Sequence, residues 1–387
     1  MKKLISILGS TGSIGLTTLK IVDKKRNYFK PYIFSANKNF KLICKQILKY
    51  KPAFFLINNE QVFHQVKKKF KNSKTKIIKT FLIKDFKLKS DITILAIPGI
   101  AGLSPTMFMI KKSKKVLLAN KESIICGWTL INNLSLKYKT KIISVDSEHF
   151  SIFKLLENSR HSSVEKVYLT ASGGPFLNYK LSQLKNVKPK DALKHPKWKM
   201  GKKISIDSSS LMNKLFEFIE AQKLFQLPKN KIGILIHPES LVHAVIKFKD
   251  GLTKFIYHET SMVIPIANAI FDEKLKINEF IKNNSTIKSL TFRAPNKSNF
   301  PIVRLLNKAT EHPSTPIIIN ASNEVLVDHF LRKKVPFLAI PNIIKKILSD
   351  RNYSKYAIRI PRNLNQIKII NSWAKLKTEE KIKKIYG

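Results

Sequence analysis

Leu4-Ile5-Ser6-Ile7-Leu8 runs directly into Gly9-Ser10-Thr11-Gly12-Ser13-Ile14-Gly15, and no other stretch constrains the chain as strongly. Glycines at this spacing let the backbone turn tightly out of a strand and into a helix, whose first N–H groups and positive dipole end then face an incoming anion. At the head of a βα unit such a turn predicts a pyrophosphate seat, although the spacing is GxxGxxG rather than GxGxxG. The same glycines also make ordinary strand-to-helix turns, so the reading depends on the pattern of the residues after Gly15.

Those residues alternate between two periods. Strand-like runs at Leu4 to Leu8, Tyr32 to Ala36, Ala53 to Ile57, Ile92 to Ala96, Val116 to Ala119 and Ile142 to Val145 are separated by helical stretches. That pattern predicts an α/β architecture, with a Rossmann-like parallel sheet over residues 1–146. From 147 to 271 the pattern is mixed, with strands near Val167 to Ala171, Ile232 to Ile236, Val242 to Phe248 and Thr253 to Tyr257 and an amphipathic helix after Asp207, so a central α+β catalytic domain is expected. Residues 272–297 are Lys/Asn/Ser-rich and read as a linker. Residues 298–387 carry apolar side chains at helical spacing (Leu326, Phe330; Ile340, Ile343, Ile344, Ile347), which predicts a small C-terminal helical bundle.

Charge and cysteine content narrow the function classes. The chain of 387 residues holds 72 basic and 25 acidic side chains, a net +47. Only eight of the basic residues are Arg, and the lysines are spread along the chain, which argues against a nucleic-acid surface built on bidentate contacts. Two distant cysteines, Cys44 and Cys126, rule out a disulfide framework or a thiolate metal site and fit a reducing cytoplasm. The apolar run behind Met1-Lys2-Lys3 is too short for an export signal, and the uncharged stretch from Ile92 to Ile110 is broken by Pro98, Gly99, Gly102 and Pro105, so no membrane span is expected.

After the second strand an NAD site would place a carboxylate on the ribose 2′-hydroxyl; here Asn37-Lys38-Asn39 offers amides and a cation, which favours the 2′-phosphate of NADPH. In a chain so poor in acids, Asp146-Ser147-Glu148-His149 stands out at a strand end, where residues i and i+2 of an extended segment point the same way and could share one cation. The alternative is a hydrated capping turn. On the helix after Asp207, Leu211, Leu215, Phe218 and Ile219 form an apolar stripe, leaving Asn213, Lys214 and Glu217 together on another face, with Asp207 or Ser208 as the expected N-cap and phosphate seat. Oxygen-only donors select a hard divalent cation, Mg²⁺ or Mn²⁺. Lys121 and Glu122 come just after a strand, at the sheet's carboxyl edge, Ser172-Gly173-Gly174 ends another strand with free N–H groups, and His195 to Gly201, with Trp198 amid lysines, reads as a lid spanning about 193–203.

These segments, in this order, resemble the 1-deoxy-D-xylulose 5-phosphate reductoisomerase family: GSTGSIG at Gly9, LLANKES at Leu117, VDSEH at Val145, SGGPF at Ser172, HPKWKMGKKISIDS at His195, MNK at Met212, HPES at His237 and NASNE at Asn320. The resemblance implies an NADPH- and divalent-metal-dependent rearrangement and reduction of a phosphorylated sugar, in a homodimeric cytoplasmic enzyme of isoprenoid precursor biosynthesis. It implies Asp146, Glu148 and Glu217 as metal ligands. Lys121, Ser147, Glu148, Ser172, His195, Ser208, Asn213, Lys214 and Glu217 would contact substrate, and Thr11, Gly12, Ser13, Ile14, Asn37, Lys38, Asn39, Asn120, Glu122 and Gly201 NADPH. Trp198 and Met200 would lie on the lid over substrate and nicotinamide, and His149 and His243 would support the site. Asn37, Phe150, Leu177, Ser261 and Val263 depart from the family pattern. Two other classes fit part of the sequence: an NADP-dependent dehydrogenase of another phosphorylated substrate, needing no metal, and a basic polyanion-binding protein on a vestigial enzyme fold.

Overall fold

Strand and helix alternate through the first part of the chain as the pattern requires: β1 (Lys3–Leu8), α1 (Ser13–Lys24), β2 (Phe29–Ala36), α2 (Phe40–Tyr50), β3 (Phe54–Ile57), α3 (Glu60–Lys69), β4 (Lys76–Ile78), β5 (Ser90–Leu95), α4 (Leu103–Lys111), β6 (Ser113–Leu118), α5 (Lys121–Tyr138), β7 (Lys141–Ser144) and α6 (Ser147–Leu156). The computed structural model describes all residues except 1, 82–85, 158, 199, 273–274, 282–288 and 297. Among the described residues the first sheet has seven strands in the order β4-β3-β2-β1-β5-β6-β7, and every pairing is parallel. β4 is not anticipated from sequence: three residues at a sheet edge are too short to show a period. Because β1 has β2 on one side and β5 on the other, strand order reverses at β1, and its carboxyl end is the crevice where open α/β sheets take their ligands.

The chain continues through β8 (Val164–Ala171), α7 (Leu181–Leu184), α8 (Pro189–Ala192), α9 (Lys202–Ser209), α10 (Met212–Phe225), β9 (Ile232–Ile236), β10 (Val242–Phe248), β11 (Thr253–Tyr257), α11 (Val263–Phe271), α12 (Thr315–Leu331), α13 (Ala339–Ile347), α14 (Tyr353–Ala357) and α15 (Leu364–Tyr386). The second sheet runs β11-β10-β8-β9, with β8 and β9 parallel and the other pairs antiparallel.

Two compact units emerge, one of residues 1–123, 129–150 and 261–286 and one of 124–128, 151–260 and 287–387. In the first, Ile5, Ile7, Phe34, Phe55, Ile92, Ile94 and Leu117 are shielded from water and α11 adds Ile266, Ala267 and Ile270; each large apolar side chain among them contributes about 1.5–3 kcal/mol of burial. The stretch read as a linker supplies Leu275, Ile277 and Phe280 to this same core, because apolar residues spaced too irregularly to mark an element still pack as single anchors; residues 273–274, 282–288 and 297 of that stretch lie outside the described ones. In the second unit, Val167, Leu169, Ala244, Ile246 and Phe248 of the sheet pack against Phe218 and Ala221 of α10.

Candidate active site

In the first unit, the turn after β1 is shaped by what glycine permits. Gly9 has φ 86°, and a Cβ on Gly15 would lie 2.3 Å from the Gly9 carbonyl oxygen; any side chain there forces the strand and α1 apart. No side chain caps α1 at Gly12 and its first turn carries no acid, so its leading N–H groups stay open to an anion. Beyond β2, Asn37, Lys38 and Asn39 are all exposed, and Asn39 caps α2 by accepting from Leu42 N at 3.1 Å. At the start of α5, buried Asn120 accepts from Ser123 N at 2.8 Å and donates to Glu122 Oε2 at 2.9 Å and Gly99 O at 3.1 Å.

Asp146 and Glu148 are adjacent, but not by strand alternation. β7 ends at Ser144, and Glu148 sits in the first turn of α6. The Asp146 carboxylate accepts from Glu148 N at 3.2 Å, as a capping side chain does, because it can bond the free N–H groups of a helix start only by folding over them. Lys121 Nζ lies 3.4 Å from Asp146 Oδ2, and the fully buried His149 places Nδ1 3.2 Å from Oδ1. Ser147 donates to Glu148 Oε2 at 2.7 Å.

In the second unit, β8 delivers Ser172 into a turn in which Gly173 and Gly174 both have positive φ. Ser172 Oγ accepts from Gly174 N at 3.1 Å and lies 3.1 Å from His195 Nε2. His195 Nδ1 accepts from Trp198 N at 2.9 Å and Lys197 N at 3.2 Å; a nitrogen accepting two N–H bonds carries no proton, so Nε2–H is the donor to Ser172. Both acceptor directions of the serine are thereby used and its proton is left to give. Burial, with the Lys214 charge adding to it, pushes the His195 pKa down to about 4, so the ring is neutral at neutral pH.

The expected N-cap at Asp207 or Ser208 is not there. Both residues lie in α9; Leu211 then breaks the chain with φ 60°, and α10 starts at Met212. The run Asp207-Ser208-Ser209-Ser210 looks like a cap, but Ser209 and Ser210 bond back to the Ile206 carbonyl at 2.8 and 3.1 Å, closing a helix rather than opening one. Asp207 is buried and tied to Lys203 Nζ and Asn323 Nδ2, each at 2.8 Å. Ser208 keeps a half-buried position on the last turn of α9. On α10 the prediction holds: Asn213 Nδ2 contacts Glu217 Oε1 and Lys214 Nζ contacts Glu217 Oε2, with Lys214 and Glu217 both buried. The segment from His195 to Gly201 has no regular structure among its described residues; Met200 is half-buried and Gly201 begins α9 without a side-chain cap. The half-buried Trp198 meets buried His243 edge-on at 6.0 Å.

Sequence reasoning passed over three residues. His258, given no role, stacks on His243 at 4.1 Å; Asn323 holds Asp207; and Gln46 bonds the glycine turn. Gln46 and Asn323 lie on α2 and α12, whose local patterns show only packing, and His258 follows the end of β11.

Family models match three segments of the chain: 1-deoxy-D-xylulose 5-phosphate reductoisomerase over residues 5–127, its C-terminal domain over 142–225, and DXP reductoisomerase C-terminal domain over 258–377. The 1-deoxy-D-xylulose 5-phosphate reductoisomerase of Pelagibacter ubique is 43% identical over 385 residues, covering 97% of this chain and 98% of its own. The chain belongs to the 1-deoxy-D-xylulose 5-phosphate reductoisomerase family. A second member, from Wolbachia pipientis of Culex pipiens, is 40% identical with 92% of each chain covered. Among solved structures, the Zymomonas mobilis reductoisomerase in complex with NADPH superposes with a TM-score of 0.89 at 30% identity, covering 99% of both chains. A family enzyme in complex with NADPH, fosmidomycin and magnesium gives 0.90 at 29% identity over 98% of both.

Proposed function

We infer that the chain carries out the family reaction, the NADPH- and divalent-metal-dependent rearrangement and reduction of 1-deoxy-D-xylulose 5-phosphate to 2-C-methyl-D-erythritol 4-phosphate in isoprenoid precursor biosynthesis. When bound, NADPH supplies the hydride, and the cation polarises the substrate's carbonyl and hydroxyl oxygens and orients them. The observation that carries the reading in this chain's own residues is Ser172, whose acceptor directions are filled by Gly174 N and His195 Nε2, leaving a hydroxyl proton for a phosphate oxygen.

We assign the remaining roles by the same chemistry. Asp146, Glu148 and Glu217 are the cation's ligands; oxygen-only carboxylates suit Mg²⁺ or Mn²⁺, and buried Glu217 has the Lys214 ammonium beside it. Ser172, Ser208, Asn213 and Lys214 hold the phosphate, so binding energy gathered away from the reacting carbons places them. Lys121, Ser147 and His195 orient the rest of the substrate, while Trp198 and Met200 exclude water from above. The turn residues Thr11, Gly12, Ser13 and Ile14 take the pyrophosphate, Lys38 with Asn37 and Asn39 the 2′-phosphate, and Asn120, Glu122 and Gly201 the nicotinamide end. We further assign residues 1–146 to NADPH, 147–271 to catalysis with a lid at 193–203, although α11 at the end of that segment packs in the first unit's core, and 298–387 to a helical domain that clusters with 151–260 in the second unit, in a cytoplasmic homodimer. No described helix is long and apolar enough to cross a membrane, and Cys44 and Cys126, both buried and neither in a disulfide, suit a reducing compartment.

The test is NADPH oxidation with 1-deoxy-D-xylulose 5-phosphate as substrate, with and without EDTA. Chelation abolishes turnover and added Mg²⁺ or Mn²⁺ restores it; turnover undiminished by EDTA overturns the assignment in favour of a metal-free dehydrogenase.

A further inference from the structure

A dinucleotide carrying a 2′-phosphate must satisfy two separate pieces of the first unit at once, the turn from Gly9 to Gly15 and the loop from Asn37 to Asn39. A buried side chain on the helix that follows the loop bonds directly to the turn. Gln46 lies on α2, seven residues past Asn39, and is 3% exposed. Its Oε1 accepts from Ser10 Oγ at 2.6 Å and its Nε2 donates to Ser10 O at 2.9 Å, so both ends of one amide close on one residue of the turn. Ser10 itself is fully buried.

The other flank of the loop grips the same place. Ser35, two residues before Asn37, accepts through its carbonyl oxygen from Ser10 N at 2.8 Å and Gly9 N at 3.0 Å, and its Oγ lies 3.1 Å from Gly9 N. The loop is therefore anchored on Ser10 from both sides, by Ser35 before it and by Gln46 after it, with Asn39 starting the helix that carries Gln46. Packing alone does not ask for an amide here. A leucine or methionine would fill the space, whereas a buried amide costs stability unless both its ends are bonded.

We propose that Gln46 is a positioning residue for NADPH selectivity, clamping Ser10 so that the pyrophosphate turn and the 2′-phosphate loop hold the spacing that lets one dinucleotide engage both. This rests on the assignment of Lys38 to the 2′-phosphate. The physical gain is preorganisation: with the two contact sets at a preset spacing, engaging one presents the other at high effective concentration. NADH, which lacks the 2′-phosphate, uses only the turn and profits little.

The experiment titrates NADPH and NADH separately into the purified, metal-free protein, following nucleotide fluorescence, for wild type, Gln46→Met, Ser10→Ala, the double variant and Lys38→Ala. Gln46→Met is expected to weaken NADPH by about tenfold and NADH by less than about threefold. Adding Ser10→Ala to it costs little more, since both act through one contact. A Gln46→Met protein that melts earlier but keeps the wild-type ratio of NADPH to NADH affinity overturns the proposal and leaves Gln46 a core residue. Should that variant not fold, Ser10→Ala decides by the same ratio. Lys38→Ala separates the premises: if it leaves the ratio unchanged, the 2′-phosphate assignment fails, and if it lowers the ratio while Gln46→Met does not, only the clamp fails.

Discussion

The proposed nucleotide seat at the end of β1 is made of backbone; the proposed substrate site at the end of β8 and on α10 is made of side chains that are charged or tightly bonded to one another. The first region consists of glycines, N–H groups and neutral buried partners such as Ser10, Ser35 and Gln46. The second holds Lys214 and Glu217 in contact below the surface and a serine aligned by a neutral histidine. The difference reflects the ligands. A pyrophosphate is bound and released unchanged, so fixed dipoles on a rigid turn suffice. A substrate that rearranges develops charge, and ionised groups must be in place before it does.

Four changes would break or sharpen that contrast. The largest effect is expected from Glu217→Gln, which keeps the side-chain volume and removes the charge: turnover falls by about 100-fold or more, as for loss of a metal ligand, while NADPH binding stays within about twofold. Near-normal turnover would remove Glu217 from the ligand set. Next is Gly15→Ala, whose methyl would sit 2.3 Å from the Gly9 carbonyl oxygen; strain of about 2 kcal/mol corresponds to about 30-fold weaker NADPH. If NADPH titrations showed no loss, the turn would not be the pyrophosphate seat.

Ser172→Ala ranks third. Removing one hydrogen bond to a charged phosphate should raise KM for the phosphorylated substrate by about tenfold with the NADPH dissociation constant unmoved; an effect on NADPH instead would dissolve the division between the two regions. The smallest effect is on stability against pH. His195 has its folded pKa lowered to about 4 from an ordinary 6.5, so between those values the unfolded chain takes up a proton that the folded one refuses. Its contribution is present in full above pH 6.5 and is lost as pH falls toward 4. Denaturant titrations at about pH 7 and about pH 5 should show His195→Gln losing less stability than wild type over that interval; equal losses would mean that the ring titrates normally in the fold.

Much of this is legible in the sequence because its signals are local. β1 and its glycine turn, the alternation that makes the parallel sheet, and the grouping of Asn213, Lys214 and Glu217 on one helix face all come from periods of two and 3.6 residues. The failures are equally physical. Asp207 and Ser208 carry cap-forming side chains, but nothing nearby in sequence shows that Asn323, more than a hundred residues away, takes up the Asp207 carboxylate. Nor does any local pattern announce that Asp207 and Ser208 close a preceding helix and that Leu211, in a left-handed turn, delays the expected helix to Met212.

Sequence alone determined the class of sheet, the strand-to-helix glycine turn and the grouping of Asn213, Lys214 and Glu217 on one helix, since residue type and short-range spacing decide backbone conformation. Tertiary structure decided that His195 Nε2 meets Ser172, that Asn323 takes up the Asp207 carboxylate, and that Gln46 closes on Ser10. Those outcomes depend on partners far along the chain, and a buried polar group takes its role from whichever partner folding brings within hydrogen-bond reach.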